Sequence, residues 1–159
     1  MNRQGNTSKR EIVLYVPMKK WFCDYLQNKN RNAEVTVHDV HNIYLSDFFT
    51  KTTFRKNFPD YPTYKIKIDL LGVVKEKDKY GLIFIEVKYG ALNFSHLAQI
   101  LVYSKLVRPS QAILISPQGL SVHLNNIINK YQREDMLEYM TNRKIQLAKW
   151  DEHRGGILF

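Results

Sequence analysis

YKIKIDLLGVVKEKDKYGLIFIEVKYG, residues 64–90, decides how the rest of the chain is read. It first alternates lysine with isoleucine and then turns wholly apolar, the pattern of a strand that passes from an exposed end into a core, predicted over 64–74. Residues 75–81 form a charged turn and 82–89 return as the next strand, so the two make a hairpin. The run Leu82-Ile83-Phe84-Ile85 leads into Glu86 and Lys88 with only Val87 between. Charge beside a buried strand is costly unless something compensates for it. Residues i and i+2 of a strand share a face, so Glu86 and Lys88 project together, and the hairpin partner brings Asp69 beside them.

Two carboxylates and an ammonium at one edge of a sheet suit hydrolysis of a phosphodiester. Carboxylate oxygens hold a hard cation such as Mg²⁺ or Mn²⁺, which polarises the phosphate and lowers the pKa of bound water, while a lysine orients that water and offsets charge. No cluster of His or Cys accompanies the carboxylates, which argues against zinc. The competing reading is an exposed ion pair at a strand end, which stabilises little.

Working outward, Ser8 and Glu11 have the spacing of a capping box, and the apolar residues from Ile12 to Leu26 predict a helix with Pro17 as a kink or a new start. Residues 33–40 alternate and are rich in valine, a strand, whereas 41–64 is aromatic and basic with no assignable element. Residues 93–107 predict a helix capped by Asn93 or Ser95, with an apolar face of Leu97, Ala98, Leu101 and Val102. A buried strand over 111–116, helices over 120–132 and 134–142, and a strand over 144–150 complete the chain. The expectation is an α/β domain over 8–159, with a core over 8–116, a helical C-terminal addition over 117–159 and a flexible tail over 1–7.

The chain has 159 residues, of which 44% are hydrophobic and 13% aromatic, enough for one folded domain and too much for a disordered chain. Twenty-four Lys and Arg against fifteen Asp and Glu leave a net charge of +9 and favour a polyanionic partner such as nucleic acid. Cys23 is the single cysteine, which excludes an intramolecular disulfide and, among Trp21, Phe22, Tyr25 and Leu26, reads as a buried thiol. The absence of a signal-like stretch and of any apolar run near membrane-spanning length predicts no membrane and an intracellular protein, cytoplasmic or nucleoid-associated.

Asp69, the Glu86-Val87-Lys88 triplet and the order of elements resemble the PD-(D/E)XK nuclease superfamily, whose motif sits in consecutive strands of a restriction endonuclease-like α-β-β-β-α-β core, a mixed sheet flanked by helices. AQILVY, residues 98–103, is similar to the Gln-x-x-x-Tyr element of RecB-type nuclease domains in that superfamily, with Gln99 and Tyr103 on one helix face. The resemblance covers residues 8–116. Lys67-Ile68-Asp69 lacks the proline of the family name; a literal Pro59-Asp60 lies in the irregular segment and offers an alternative carboxylate.

The resemblance implies a Mg²⁺- or Mn²⁺-dependent deoxyribonuclease. Asp69 and Glu86 hold the metal with the Val87 carbonyl, Lys88 positions the attacking water, Gln99 steadies the lysine or the phosphate, and Tyr103 lies near the DNA. Glu11 matches an acidic residue that many members carry in the first helix, and the capping box accounts for it equally well. The alternatives are a non-catalytic nucleic-acid-binding or assembly subunit that keeps this fold, or, among enzymes, a structure-specific, Holliday junction resolvase-like or restriction-type endonuclease competing with an exonuclease-like activity. The implied partner is DNA, branched and single-stranded forms included, and a homodimer or a place in a larger nucleic-acid-processing complex fits the same reading. Lys51, Arg55 and Lys56 lie among six aromatics over 48–64: either the basic groups meet phosphates while rings stack on bases, or the rings pack the segment onto the core and the basic groups are solvated.

Overall fold

The structure, a computed structural model, describes residues 9–158; the expected tail and the Ser8 cap lie outside the described residues. Its centre is the hairpin of β2 (Leu70–Glu76) and β3 (Lys79–Val87), antiparallel from Leu70 opposite Ile85 to Glu76 opposite Lys79. The turn is shorter than the charged run suggested, only Lys77 and Asp78, with Lys77 at φ 55°. Gly72 has a packing reason: a Cβ there would lie 3.1 Å from Ile83 Cβ and 3.2 Å from Leu26 Cδ1.

The strand expected over 64–74 begins late. Residues 64–68 alternate as read, with Tyr64, Ile66 and Ile68 buried and Lys65 and Lys67 exposed, but they pair with no strand. The carbonyls of Ile66 and Tyr64 instead accept the first N–H groups of a short helix, α2 (Leu45–Thr50), from Leu45 at 2.8 Å and Ser46 at 2.9 Å. Asp69 therefore immediately precedes β2 rather than lying within it, and its carbonyl accepts the Val40 N–H at 3.0 Å.

The segment 41–64, without an assignment from sequence, holds α2 and two single 3-10 turns, Phe54–Asn57 and Tyr61–Thr63. Phe49 is fully buried at its centre, with the rings of Phe54, Phe58, Tyr61 and Tyr64 packed around it. The aromatics here are core material, as the packed alternative held.

Helix α1 (Lys9–Lys29) buries Leu14, Met18, Phe22 and Leu26, one per turn, with Tyr15 beside the first. Pro17 does not break it. The carbonyl that loses its partner is that of Val13, on the exposed face where water serves. Cys23 is half-buried against this core. Strand β1 (Glu34–Asp39) pairs antiparallel with β2.

Helix α3 (Phe94–Val107) starts at Asn93, whose side chain accepts the His96 N–H at 3.1 Å while the His96 ring accepts the Asn93 N–H at 3.3 Å. Its buried face is Leu97, Ile100, Ser104 and Val107; Ala98 and Val102, expected inside, are exposed. The chain returns as β4 (Gln111–Ser116), parallel to β3. The order α1-β1-β2-β3-α3-β4, with only α2 and the two 3-10 turns between β1 and β2, follows the expected α-β-β-β-α-β sequence of elements.

The C-terminal part departs from the helical addition expected over 117–159. Helix α4 (Val122–Asn125) runs on through a π-helical stretch to Lys130, but residues 134–142 are not a helix. They form a 3-10 turn (Glu134–Leu137), then β5 (Glu138–Met140), which pairs with β6 (Arg143–Lys144). The reason is a period of two: Tyr139 is buried between exposed Glu138 and Met140, and its hydroxyl donates to the Pro109 carbonyl at 2.9 Å. Strands β7 (Gln146–Asp151) and β8 (Gly156–Leu158) then extend the main sheet to six strands in the order β1-β2-β3-β4-β7-β8. One core lies between this sheet and α1; the other gathers α2, α3 and α4 with the turns of 54–64. No described helix is long and apolar enough to cross a membrane.

Candidate active site

Three backbone arrangements bring the site together at one end of the hairpin. The end of β1 fixes Asp69 through Val40; β3 carries Glu86 and Val87 to its last residues; and Lys88 N–H bonds the Ile115 carbonyl of β4 at 2.9 Å, holding the residue after the strand in the sheet's frame. Asp69 and Glu86 are buried and the Lys88 side chain nearly so.

Both Asp69 oxygens are bonded. Oδ2 accepts the Val87 N–H at 2.8 Å and Oδ1 accepts the Tyr15 hydroxyl at 2.7 Å. Glu86 is lopsided. Its Oε1 accepts both the Lys88 ammonium at 2.8 Å and the Gln99 amide at 2.9 Å, whereas Oε2 is buried without a hydrogen-bond partner. Leaving such an oxygen dry is costly. It is the place in this cluster where a proton or a cation fits.

Titration follows the same asymmetry. Burial, and then the neighbouring Asp69 charge, push Glu86 up to about 8, with the Lys88 ammonium moderating the rise. Burial also raises Asp69, against the pull of the Val87 N–H, the Tyr15 hydroxyl and Lys88. Burial works to lower Lys88, but Glu86 and then Asp69 and Glu11 outweigh it, so the ammonium is held above its usual value. Tyr15 is pushed far up by burial and by Asp69, so it remains a donor throughout the accessible pH range. At neutral pH Glu86 carries a proton much of the time and Lys88 is cationic, while Asp69 is held by two donors that pull its pKa down against burial.

The other sequence candidates divide. Gln99 and Tyr103 lie one turn apart on α3; Gln99 binds Glu86, and Tyr103 is raised by burial and by the Glu86 charge. Glu11 is half-exposed on the first turn of α1, near enough for its charge to act on Tyr15, Asp69 and Lys88. Asp60 is exposed and accepts the Tyr64 hydroxyl at 2.8 Å in a local turn, apart from this cluster.

Lys51, Arg55 and Lys56 are exposed and away from it as well. Arg55 donates to the Thr50 carbonyl, Phe54 stacks on Tyr80 with centroids 5.4 Å apart, and Asn57 reaches the Asp78 carbonyl in the hairpin turn. Tyr80 is six residues before Glu86, about 20 Å along the strand. The basic segment thus docks against the opposite end of β3.

Two residues escaped the sequence reading: Tyr15, bonded to Asp69, and His41, packed against the Tyr15 ring. Tyr15 falls four residues after Glu11, on the same helix face, and that spacing could have marked it. The His41 ring lies 5.0 Å from the Tyr15 ring and is held by Asp39 through a contact of 2.5 Å; no spacing in the sequence pointed to it.

Glu86 Oε2 is the carboxylate oxygen of this cluster left without a hydrogen bond, and an oxygen of this kind is what a hard cation takes. Among the described residues no group of three or more His, Cys, Asp and Glu side chains is placed to hold a metal. No family model matches the chain, and no curated protein or solved structure matches it either.

Proposed function

We propose that the chain is a metal-dependent deoxyribonuclease of the PD-(D/E)XK kind, built on a restriction endonuclease-like core. The observation that carries the reading is the convergence of Asp69, Glu86, Lys88 and Gln99 around one buried, unpartnered carboxylate oxygen. The element order and the parallel β3–β4 pair closed by α3 support the fold, and the net charge of +9 supports a polyanionic substrate.

Asp69, Glu86 Oε2 and the Val87 carbonyl would hold Mg²⁺ or Mn²⁺, which when bound supplies charge neutralisation at the phosphate and a more acidic water. Tyr15 and the Val87 N–H each hold one Asp69 oxygen, favouring its ionised form against burial and keeping it aimed. Glu86 must release its proton before Oε2 can serve a cation, so metal affinity strengthens as pH rises toward about 8. Lys88 remains protonated through that range and therefore orients water and stabilises charge at the phosphate rather than accepting a proton. Gln99 shares Oε1 with Lys88 and keeps the carboxylate from rotating into the ammonium's full embrace.

The test is the purified protein with Mg²⁺ or Mn²⁺ on single-stranded, duplex, flapped and four-way DNA. Cleavage of at least one substrate is expected; no cleavage of any with either metal overturns the reading. Calorimetric Mn²⁺ uptake that Asp69→Ala abolishes is expected alongside; its absence favours a binding subunit.

A further inference from the structure

The structure separates the basic segment from the carboxylates, but other cations stand close to them along the chain. Lys65 and Lys67 project outward from the extended chain leading into Asp69, at about 3.3 Å per residue roughly 13 and 7 Å before it. The Lys67 ammonium lies 5.0 Å over the ring of Tyr44. Tyr44 is anomalous in its segment. Phe48, Phe49, Phe54, Phe58, Tyr61 and Tyr64 all pack inward, whereas Tyr44 is 42% exposed.

This outward ring is held firmly. Tyr44 immediately precedes α2, whose first two N–H groups bond the carbonyls of Ile66 and Tyr64, the residues flanking Lys65. Ring and lysines are thus tied together by main chain and to Asp69 by three residues of extended backbone. Beyond Lys88 a second pair of the same kind follows, with the Arg10 guanidinium 5.3 Å over the Tyr89 ring. An exposed aromatic with flanking cations is what an unpaired nucleotide strand uses: the base stacks on the ring and the phosphates meet the ammonium groups. A duplex buries its base faces and offers only phosphates.

We propose that Tyr44, Lys65 and Lys67 form a binding platform for an unpaired DNA strand, which feeds the phosphodiester toward Asp69 and Glu86. The proposal rests on the nuclease reading for its direction and adds the form of substrate engaged.

The experiment measures fluorescence anisotropy of the full chain with a labelled single-stranded oligodeoxynucleotide of about 20 nucleotides and with the matching duplex, in EDTA so that nothing is cut, over a series of salt concentrations. Wild type is expected to bind the single strand tighter than the duplex. Tyr44→Ala weakens single-strand binding about tenfold while leaving the duplex and the salt slope as they were, since one stacked base is lost. The double variant Lys65→Ala, Lys67→Ala lowers the single-strand salt slope by about 1.4, two phosphate contacts' worth. All three side chains are exposed, and circular dichroism checks that the variants fold. Variants that bind the single strand as wild type does, or that lose single strand and duplex equally, overturn the platform while cleavage by wild type still upholds the nuclease. A wild type that binds no DNA and cuts none overturns both.

Discussion

At its first residues β3 carries Lys79 opposite Glu76, both exposed with the rest of Lys75–Asp78 in water; at its last it carries Glu86, with Lys88 just beyond, both turned inward. The pairing is the same in chemical type, and the difference is what surrounds it. Around the hairpin turn each charge keeps its hydration, so acidic and basic neighbours there stabilise by a fraction of a kcal/mol, at about 0–1. Around Glu86 burial raises the carboxyl to about 8, ties the lysine to it and leaves one oxygen without a partner. A buried carboxyl with an oxygen left without a hydrogen-bond partner is costly to keep, and such groups gather where chemistry is done.

The sharpest test exchanges the two lysines. Lys88→Ala is expected to lower kcat about 10³-fold, the range for a positioned catalytic side chain, while Lys79→Ala stays within about twofold of wild type. Single-turnover cleavage at saturating metal measures both. Equal effects at the two ends, large or small, would break the comparison.

Next in size is the stability of Glu86. Its carboxyl titrates near 4.5 when unfolded and at about 8 when folded, so between those values the folded chain binds the extra proton. Stability is then full below about pH 4.5 and falls as pH rises through about 8. Glu86→Gln removes that slope: it is expected to abolish the proposed cleavage yet melt roughly 5 °C above wild type at about pH 9, with little difference at about pH 5. Melting scans across pH, without added metal, decide it. The Glu76→Gln control, at the exposed end, is expected to show no such divergence.

What the sequence made legible follows the same line between local and long-range causes. Glu86 and Lys88 share a face because a strand has period two, and Gln99 sits where a helix turn puts it; both could be read without knowing the fold. Asp69 was found beside them, but its place just before β2 was not, because the carbonyls of Tyr64 and Ile66 are taken by the start of α2 and no pattern in 64–69 records that. Residues 134–142 read as a helix because the single buried Tyr139 gave too short a run to reveal its period. Strand β8 is three residues long and is specified by pairing with β7, with Gly156 against the Trp21 indole at 3.0 Å from its absent Cβ, a contact between chain segments far apart. Tyr15 was passed over because a tyrosine on the apolar face of a helix reads as core, and core it is, except for the hydroxyl.

Removing that hydroxyl has a smaller effect than removing either charge. Tyr15→Phe keeps the buried ring and deprives Asp69 of a donor that lowers its pKa. The acid limb of the rate profile is expected to move to higher pH and kcat at neutral pH to fall about tenfold, with KM nearly unchanged, the loss matching one buried charge-assisted hydrogen bond. A structural role alone would lower the melting temperature without moving the profile, so a kcat–pH series separates the two. No shift in the profile would mean that Asp69 is set by the Val87 N–H and its surroundings alone.

The smallest effect belongs to the far end. Arg55 and Lys56 sit by the hairpin turn, about 20 Å of strand from Glu86, more than twice the distance of about 8 Å over which physiological salt screens a charge. Replacing both by alanine is expected to weaken DNA binding by no more than about threefold and to leave kcat alone, because a general cationic field falls with each charge removed but no phosphate at the cleavage position loses a partner. The measurement is the salt dependence of binding beside that of wild type. A slope reduced by about 1.4 would show both side chains on phosphates, and a DNA long enough to touch both ends of β3 would then join the two regions that burial sets apart.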